Sequence, residues 1–234
     1  MFKAIILSIF FSFAVFSQSG NVSVIYSANI FSDKTMSTSH TELARMYDNA
    51  LENAKFLTFT LEIVNNESYF YINPTDQKGM ADSERQSIYP FLRYSGPVYC
   101  INEKVYRSSP LAGNNVYVSK VMDTNWTVTT ETKKIENYLC YKATSTLSLD
   151  NGSQKYDFPI IAWFCPDLPF QHGPNGYGKL PGLILELHVR NAVFGATSII
   201  AKEHKSVKPK NFDKATFMTY EEFIKSIREE MEGK

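Results

Sequence analysis

Three groups of residues in this chain have types and spacings that could do chemistry. Cys165, Asp167 and His172 lie within eight residues, and a cysteine beside a histidine can make an activated thiolate nucleophile. Gly173 to Lys179 (GPNGYGK) has the GxxxxGK spacing of a phosphate-binding loop. Glu186, His188 and Arg190 alternate along an apolar run, which would set an acid, an imidazole and a guanidinium in a row on one face of a strand. The phosphate reading fails on its own terms. Leu180 stands where a Ser or Thr must hold magnesium, and Pro181-Gly182 lead into a strand-like run rather than a helix whose amides could meet a phosphate. The cysteine group also reads as a strand-end cysteine followed by a polar loop, because nearness in sequence does not set catalytic geometry. The four histidines, His40, His172, His188 and His204, have no HxxxH or HExxH spacing, so neither a metal nor another cofactor is expected.

The elements around these residues are mostly strands. Leu183, Leu185, Leu187 and Val189 alternate with Ile184, Glu186, His188 and Arg190, giving one apolar face and one polar face. Pro181-Gly182 suit the centre of a type II turn, since Pro presets φ and Gly accepts the positive φ that follows. Strands are also expected at 22–31, 56–64, 68–73, 97–107, 115–121, 125–132, 138–149, 155–164 and 193–204, about ten in all. Asn65-Asn66-Glu67 and Asp150 to Ser153 mark hairpin turns. Ser39 with Glu42, and Thr219 with Glu222, are capping boxes that open amphipathic helices near 40–54 and 219–232. The polar, aperiodic stretch from Pro74 to about Ser87 reads as a long surface loop. The expected fold class is mainly β (α+β): a twisted antiparallel sheet curling toward an open barrel, with one helix near each end.

Composition and compartment narrow the function. Lys and Arg balance Asp and Glu at 24 each, so there is no basic footprint for nucleic acid. Residues 1–17 have the layout of a secretory signal: Lys3, the uncharged apolar run Ala4 to Phe16, then Val15 and Ser17 at the −3 and −1 positions before Gln18. That run is too short to span a bilayer, and no later stretch is long enough, so no transmembrane span is expected after cleavage. Residues 18–234 then read as a single β-rich domain working in the periplasm or at the outer membrane. Three cysteines, Cys100, Cys140 and Cys165, would meet an oxidising compartment there: either two of them pair, and their spacing does not say which two, or all three are small buried hydrophobes.

One stretch is more specific. Lys179-Leu180-Pro181-Gly182-Leu183-Ile184, continuing into Leu185-Glu186, resembles the name-giving motif of the GLPGLI family of exported bacterial envelope proteins. Ala162-Trp163-Phe164, Pro166 to Pro169 and Gly173-Pro174 look like that family's aromatic, proline-containing lead-in. Trp126, Ile135 and Cys140 to Thr144 are similar to it further upstream. Lys179 departs from the pattern by standing where the family's name has Gly. The resemblance implies an envelope protein of a Gram-negative bacterium, with no established activity and no catalytic residue to carry over. It also implies a module similar to one attached N-terminally to a class of peptide N-glycanase, where it is not the catalytic part. It marks Trp163, Pro169, Gly173, Pro174, Leu180, Pro181 and Gly182 as motif positions. With His172, Glu186, His188 and Arg190 they form the candidate binding set.

The leading expectation is a non-enzymatic binding or assembly module, with the 163–182 loop at the rim of a curved sheet and another envelope protein as partner. Two alternatives stand beside it. One is a hydrolase using the Cys165 region or the Glu186–His188 pair, and the other is a carrier of a small apolar ligand.

Overall fold

The computed structural model describes residues 20–32, 41–73, 80–113, 115–122, 125–150, 154–202, 206–209 and 211–233. The expected leader at 1–17, Ser39 of the first capping box, the tip of the 150–153 turn, His40 and His204 lie outside the described residues.

The strands are β1 (Val22–Ile30), β2 (Thr58–Val64), β3 (Glu67–Ile72), β4 (Val98–Ile101), β5 (Lys104–Ser108), β6 (Val116–Val121), β7 (Thr127–Ile135), β8 (Tyr138–Asp150), β9 (Lys155–Cys165), β10 (Leu183–Val189), β11 (Ala192–Ala201) and β12 (Thr216–Thr219). The helices are α1 (Thr41–Asn53), α2 (Asp82–Ile88) and α3 (Tyr220–Glu232). The strands form one unclosed sheet in the order β12-β6-β5-β4-β3-β2-β1-β11-β10-β9-β8-β7. The fold is mainly β, as the strand pattern requires.

Three expectations need correction. The run 97–107 is a hairpin rather than one strand, because Asn102 and Glu103 take φ of 49° and 62° and turn the chain between β4 and β5. The polar stretch before Ser87 contains α2, which Asn49 of α1 supports by donating to Ser87 Oγ at 2.9 Å. The sheet is mixed: β12, a strand the sequence reading missed, lies parallel to β6 at the edge.

Chain length explains why the sheet curls. Strands β1 to β6 meander outward in one direction, and β7 to β11 return from the opposite edge to pair with β1. Ten strand spacings separate β6 from β7, about 48 Å in a flat sheet. Yet six residue steps join Val121 to Thr127, which span about 20 Å at most. The two edges must therefore approach each other.

The concave side of this curl is the core. Alternate residues of β1 (Val22, Val24, Tyr26, Ala28, Ile30) and β2 (Phe59, Leu61, Ile63) point into it and are buried. The rings of Phe59, Phe70, Tyr94 and Phe194 pack edge-on or stacked at its centre, with centroids 5.1–6.2 Å apart. The buried Tyr47, Ala50, Ile88 and Leu92 from α1, α2 and the turn after α2 cover one part of this side. The loop between β9 and β10 covers another.

Candidate functional site

A β-bulge shapes the centre of the candidate set. Ile184 lies opposite Phe164 and Glu186 opposite Trp163, so Leu185 is an extra residue with no partner on β9. Phe164 and Trp163 are neighbours facing opposite sides, and their partners do the same. The bulge therefore overturns the strict alternation expected for β10: Ile184 turns into the core, while Glu186 and His188 face outward. The disrupted ladder leaves backbone groups at Ile184 to be satisfied elsewhere. Its N–H donates to the His172 carbonyl at 3.0 Å, and its carbonyl accepts the buried Tyr26 hydroxyl at 2.7 Å.

On the convex face, Glu186 holds two donors on one oxygen. His188 Nε2 donates to Oε1 at 2.5 Å, and Lys133 Nζ from β7 donates to the same atom at 2.7 Å. Burial alone would raise the Glu186 carboxyl, but these hydrogen bonds and the lysine charge outweigh it and hold it below its ordinary value. The Lys133 ammonium also stands 4.4 Å from the Trp163 ring centre, and Phe31 stacks on His188 at 6.4 Å. Trp163, Lys133, Glu186, His188 and Phe31 thus form a half-exposed strip across β7, β9, β10 and the end of β1. Arg190 does not join the row. It sits in the turn after β10 with φ of 57°, and its guanidinium lies 3.9 Å over Phe158, a residue on the core-facing side of β9.

The loop that carries the motif folds inward. Of the residues expected at a rim, Pro169 and Pro181 are exposed, while His172, Gly173, Pro174, Leu180 and Gly182 are buried. His172 Nε2 lies 3.0 Å from the Asn66 carbonyl in the β2–β3 turn, so that nitrogen carries the proton and donates it. Its Nδ1 then accepts from the Ser68 hydroxyl at 3.0 Å. Burial pushes the imidazole down to about 4, so it is neutral. Asn175 takes φ of 54°, accepts from Arg107 of β5 through both its side chain and its carbonyl, and donates to the Arg93 carbonyl. Trp126 donates its indole N–H to the Gly178 carbonyl at 2.9 Å. The loop therefore bridges from β9 to the β2–β3 turn, to β5 and to the β6–β7 connection. It fills the space between the approaching edges of the sheet.

The turn in the motif also differs from the type II geometry expected of it. Gly182 N–H bonds back to the Leu180 carbonyl at 2.8 Å, a three-residue turn centred on Pro181, while Leu183 N–H goes to the Leu168 carbonyl. Glycine is needed there for closeness. A Cβ on Gly182 would stand 2.1 Å from the Cys165 carbonyl oxygen, at a φ of 155° that side chains rarely adopt. Lys179 itself takes φ of 63°, a left-handed conformation that favours the glycine of the motif's name.

The cysteine group is not assembled for nucleophilic chemistry. Both ring nitrogens of His172 are committed to Asn66 and Ser68, and burial raises the Cys165 thiol above its ordinary value. The GxxxxGK stretch is this same buried loop and leads into strand β10. Among the described residues, no group of three or more His, Cys, Asp or Glu is placed to hold a metal ion. No helix among them is long and apolar enough to cross a membrane.

Sequence reasoning missed Lys133, Phe31, Ser68, Arg107 and Asn175. Only Asn175 carried a local signal, since Asn before Gly favours a left-handed backbone. The others are brought in by strand register.

Comparisons with known proteins bear on the same segment. A family model described as "Protein of unknown function (Porph_ging)" matches residues 150–186, from the end of β8 through the loop to Glu186. No curated protein matches the chain. Among solved structures, PNGF-II is similar in two crystal forms, P21 and C2, each with a TM-score of 0.53 and 17% identity. The similarity covers 89% of this chain and 33% of PNGF-II, so the chain spans about a third of the length of that protein. At that identity the likeness is one of fold.

Proposed function

We propose that this protein is an exported, non-catalytic binding or assembly module of the bacterial envelope, docking another envelope protein through the strip Trp163–Lys133–Glu186–His188–Phe31. The observation that carries this reading is Glu186, which is held by Lys133 and His188 on the half-exposed convex face between two aromatic side chains. Tryptophan is enriched among the residues that dominate protein–protein recognition, aromatic side chains are enriched at interface cores, and complementary charges beside them fix orientation and specificity. Paired strands set their positions, so little side-chain freedom remains to be lost on docking. The recurrence of the fold within the longer PNGF-II chain supports a modular role. The inward-packed motif loop serves this reading as architecture, holding the sheet edges together. A carried apolar ligand would need the concave interior, where the rings of Phe59, Phe70, Tyr94 and Phe194 sit.

The test places a photo-cross-linking residue at Ile161, which is paired with His188 on β9, in the protein expressed in its own cell envelope. A discrete protein adduct is expected, and Glu186→Ala should reduce it at least tenfold while moving the melting temperature by less than about 3 °C. An adduct insensitive to Glu186→Ala, or a variant that loses most of its stability, would refute the docking role.

A further inference from the structure

We infer that Cys140 and Cys165 form a cross-strand disulfide between β8 and β9 when the chain folds in the presence of a disulfide donor. From Asp150↔Lys155 to Tyr141↔Phe164 the β8–β9 ladder advances residue for residue with no bulge. Continued one step past Tyr141↔Phe164, that register sets Cys140 opposite Cys165. Both residues are still held in strands there, Cys140 by Lys133 of β7 and Cys165 by Leu183 of β10.

The two side chains face the same way. Lys142 and Trp163 are paired on the convex side, and Cys140 and Cys165 each stand two residues or one pair further along that side. Opposite residues of an antiparallel pair have Cβ atoms about 4.5–5.5 Å apart, and a disulfide needs about 3.5–4.5 Å. In a regular ladder an adjustment of about 1 Å would close that gap, and both thiols are free in the structure. Both residues are buried, and the nearness of Cys165 is among the influences that, after burial itself, push the Cys140 thiol up to about 11. Cys100 is excluded by the same register. It pairs with Ser68, the partner of His172, and so faces the core from β4, with five strands between it and β9.

Raised, buried thiols react slowly once the fold is complete, so the bond belongs to folding. One thiolate attacks a small-molecule disulfide such as oxidised glutathione, breaking its S–S bond, releasing one glutathione thiolate and leaving a mixed disulfide. The second cysteine thiolate attacks the protein sulfur of that bond and expels the other glutathione. The donor gains two electrons and two protons in total, and the protein loses two hydrogens. The bond would tie β8 to β9 at the base of the motif loop, where Gly182 packs against the Cys165 carbonyl. The geometry does not depend on export, which would only supply the donor.

The test unfolds and reduces the full chain, refolds it with reduced and oxidised glutathione, and maps peptides without reduction after alkylation. The expected result is a protein 2 Da lighter, with the Cys140 and Cys165 peptides linked and Cys100 alkylated once denatured. Three alkylated cysteines, or a link to Cys100, would overturn the inference. Melting gives a second readout that does not rely on mapping. Oxidised protein should melt about 5–10 °C above reduced protein, and Cys140→Ser, Cys165→Ser and the double variant should erase that difference equally. A redox-dependent melting difference that survives in Cys140→Ser would also overturn it.

Discussion

Lowering the pH adds a proton to His172 in the unfolded chain well before the folded protein can accept one. Folded, the imidazole is only 4% exposed and titrates near 4, against 6.5 for the free side chain. Above 6.5 both states are neutral at this position and its contribution to stability is fully present. Between 6.5 and about 4 the unfolded chain binds more protons, so stability falls with pH, and below about 4 the loss levels off. The gap corresponds to about 3 kcal/mol, a large part of a typical folding free energy. The assay is urea unfolding followed by Trp126 and Trp163 fluorescence at several pH values from 7.5 to 4. His172→Gln is the control, since its amide N–H can still donate toward the Asn66 carbonyl but does not titrate. Carboxylates held low in the fold, such as Glu186, weaken both proteins alike. The wild type should therefore lose about 2–3 kcal/mol more than the variant over this range. Parallel curves would refute the buried, neutral imidazole and with it the account of how the loop is anchored.

Two substitutions in the motif test the rest of that account by equilibrium unfolding. Gly182→Ala puts a Cβ 2.1 Å from the Cys165 carbonyl oxygen at a strained φ, and should cost about 3–5 kcal/mol or prevent folding. Exposed Pro181→Ala should cost less than about 1 kcal/mol. Lys179→Gly relieves a left-handed lysine, a gain of about 1–2 kcal/mol, part of which the greater freedom of glycine in the unfolded chain offsets. It also removes a 2.8 Å ion pair to well-exposed Glu103, which contributes little. The expected outcome is a net gain of up to about 1 kcal/mol, and a clear loss would show that the ion pair or the lysine stem matters more than the backbone.

Local signals were legible wherever they were strong. The Thr219–Glu222 capping box is present at the start of α3, with Thr219 N–H bonded to Glu222 and Glu222 N–H to Thr219 Oγ1. Asn65 and Asn66, at φ of 50° and 61°, turn the hairpin expected of them. Helix α2 escaped notice because its seven residues bury only Ile88, and α1 supplies its support from outside. Strand β12 escaped because four residues in parallel pairing show no alternation worth reading.

The amino-acid pattern alone determined the strand-rich class, most of the hairpins, the two amphipathic helices and the apolar character of β10. These follow from periodicities and turn preferences acting over a few residues. Only the tertiary structure decided that Leu185 bulges out of register, which sends Ile184 inward and Glu186 outward. It alone brought Lys133 to Glu186 across 53 residues of sequence and His172 to Ser68 across 104. It also turned a motif loop expected at a rim into a buried tie between sheet edges. The physical reason is that strand register and the curl of the sheet are set by many pairings at once. No short stretch of sequence records which side chains those pairings will bring together.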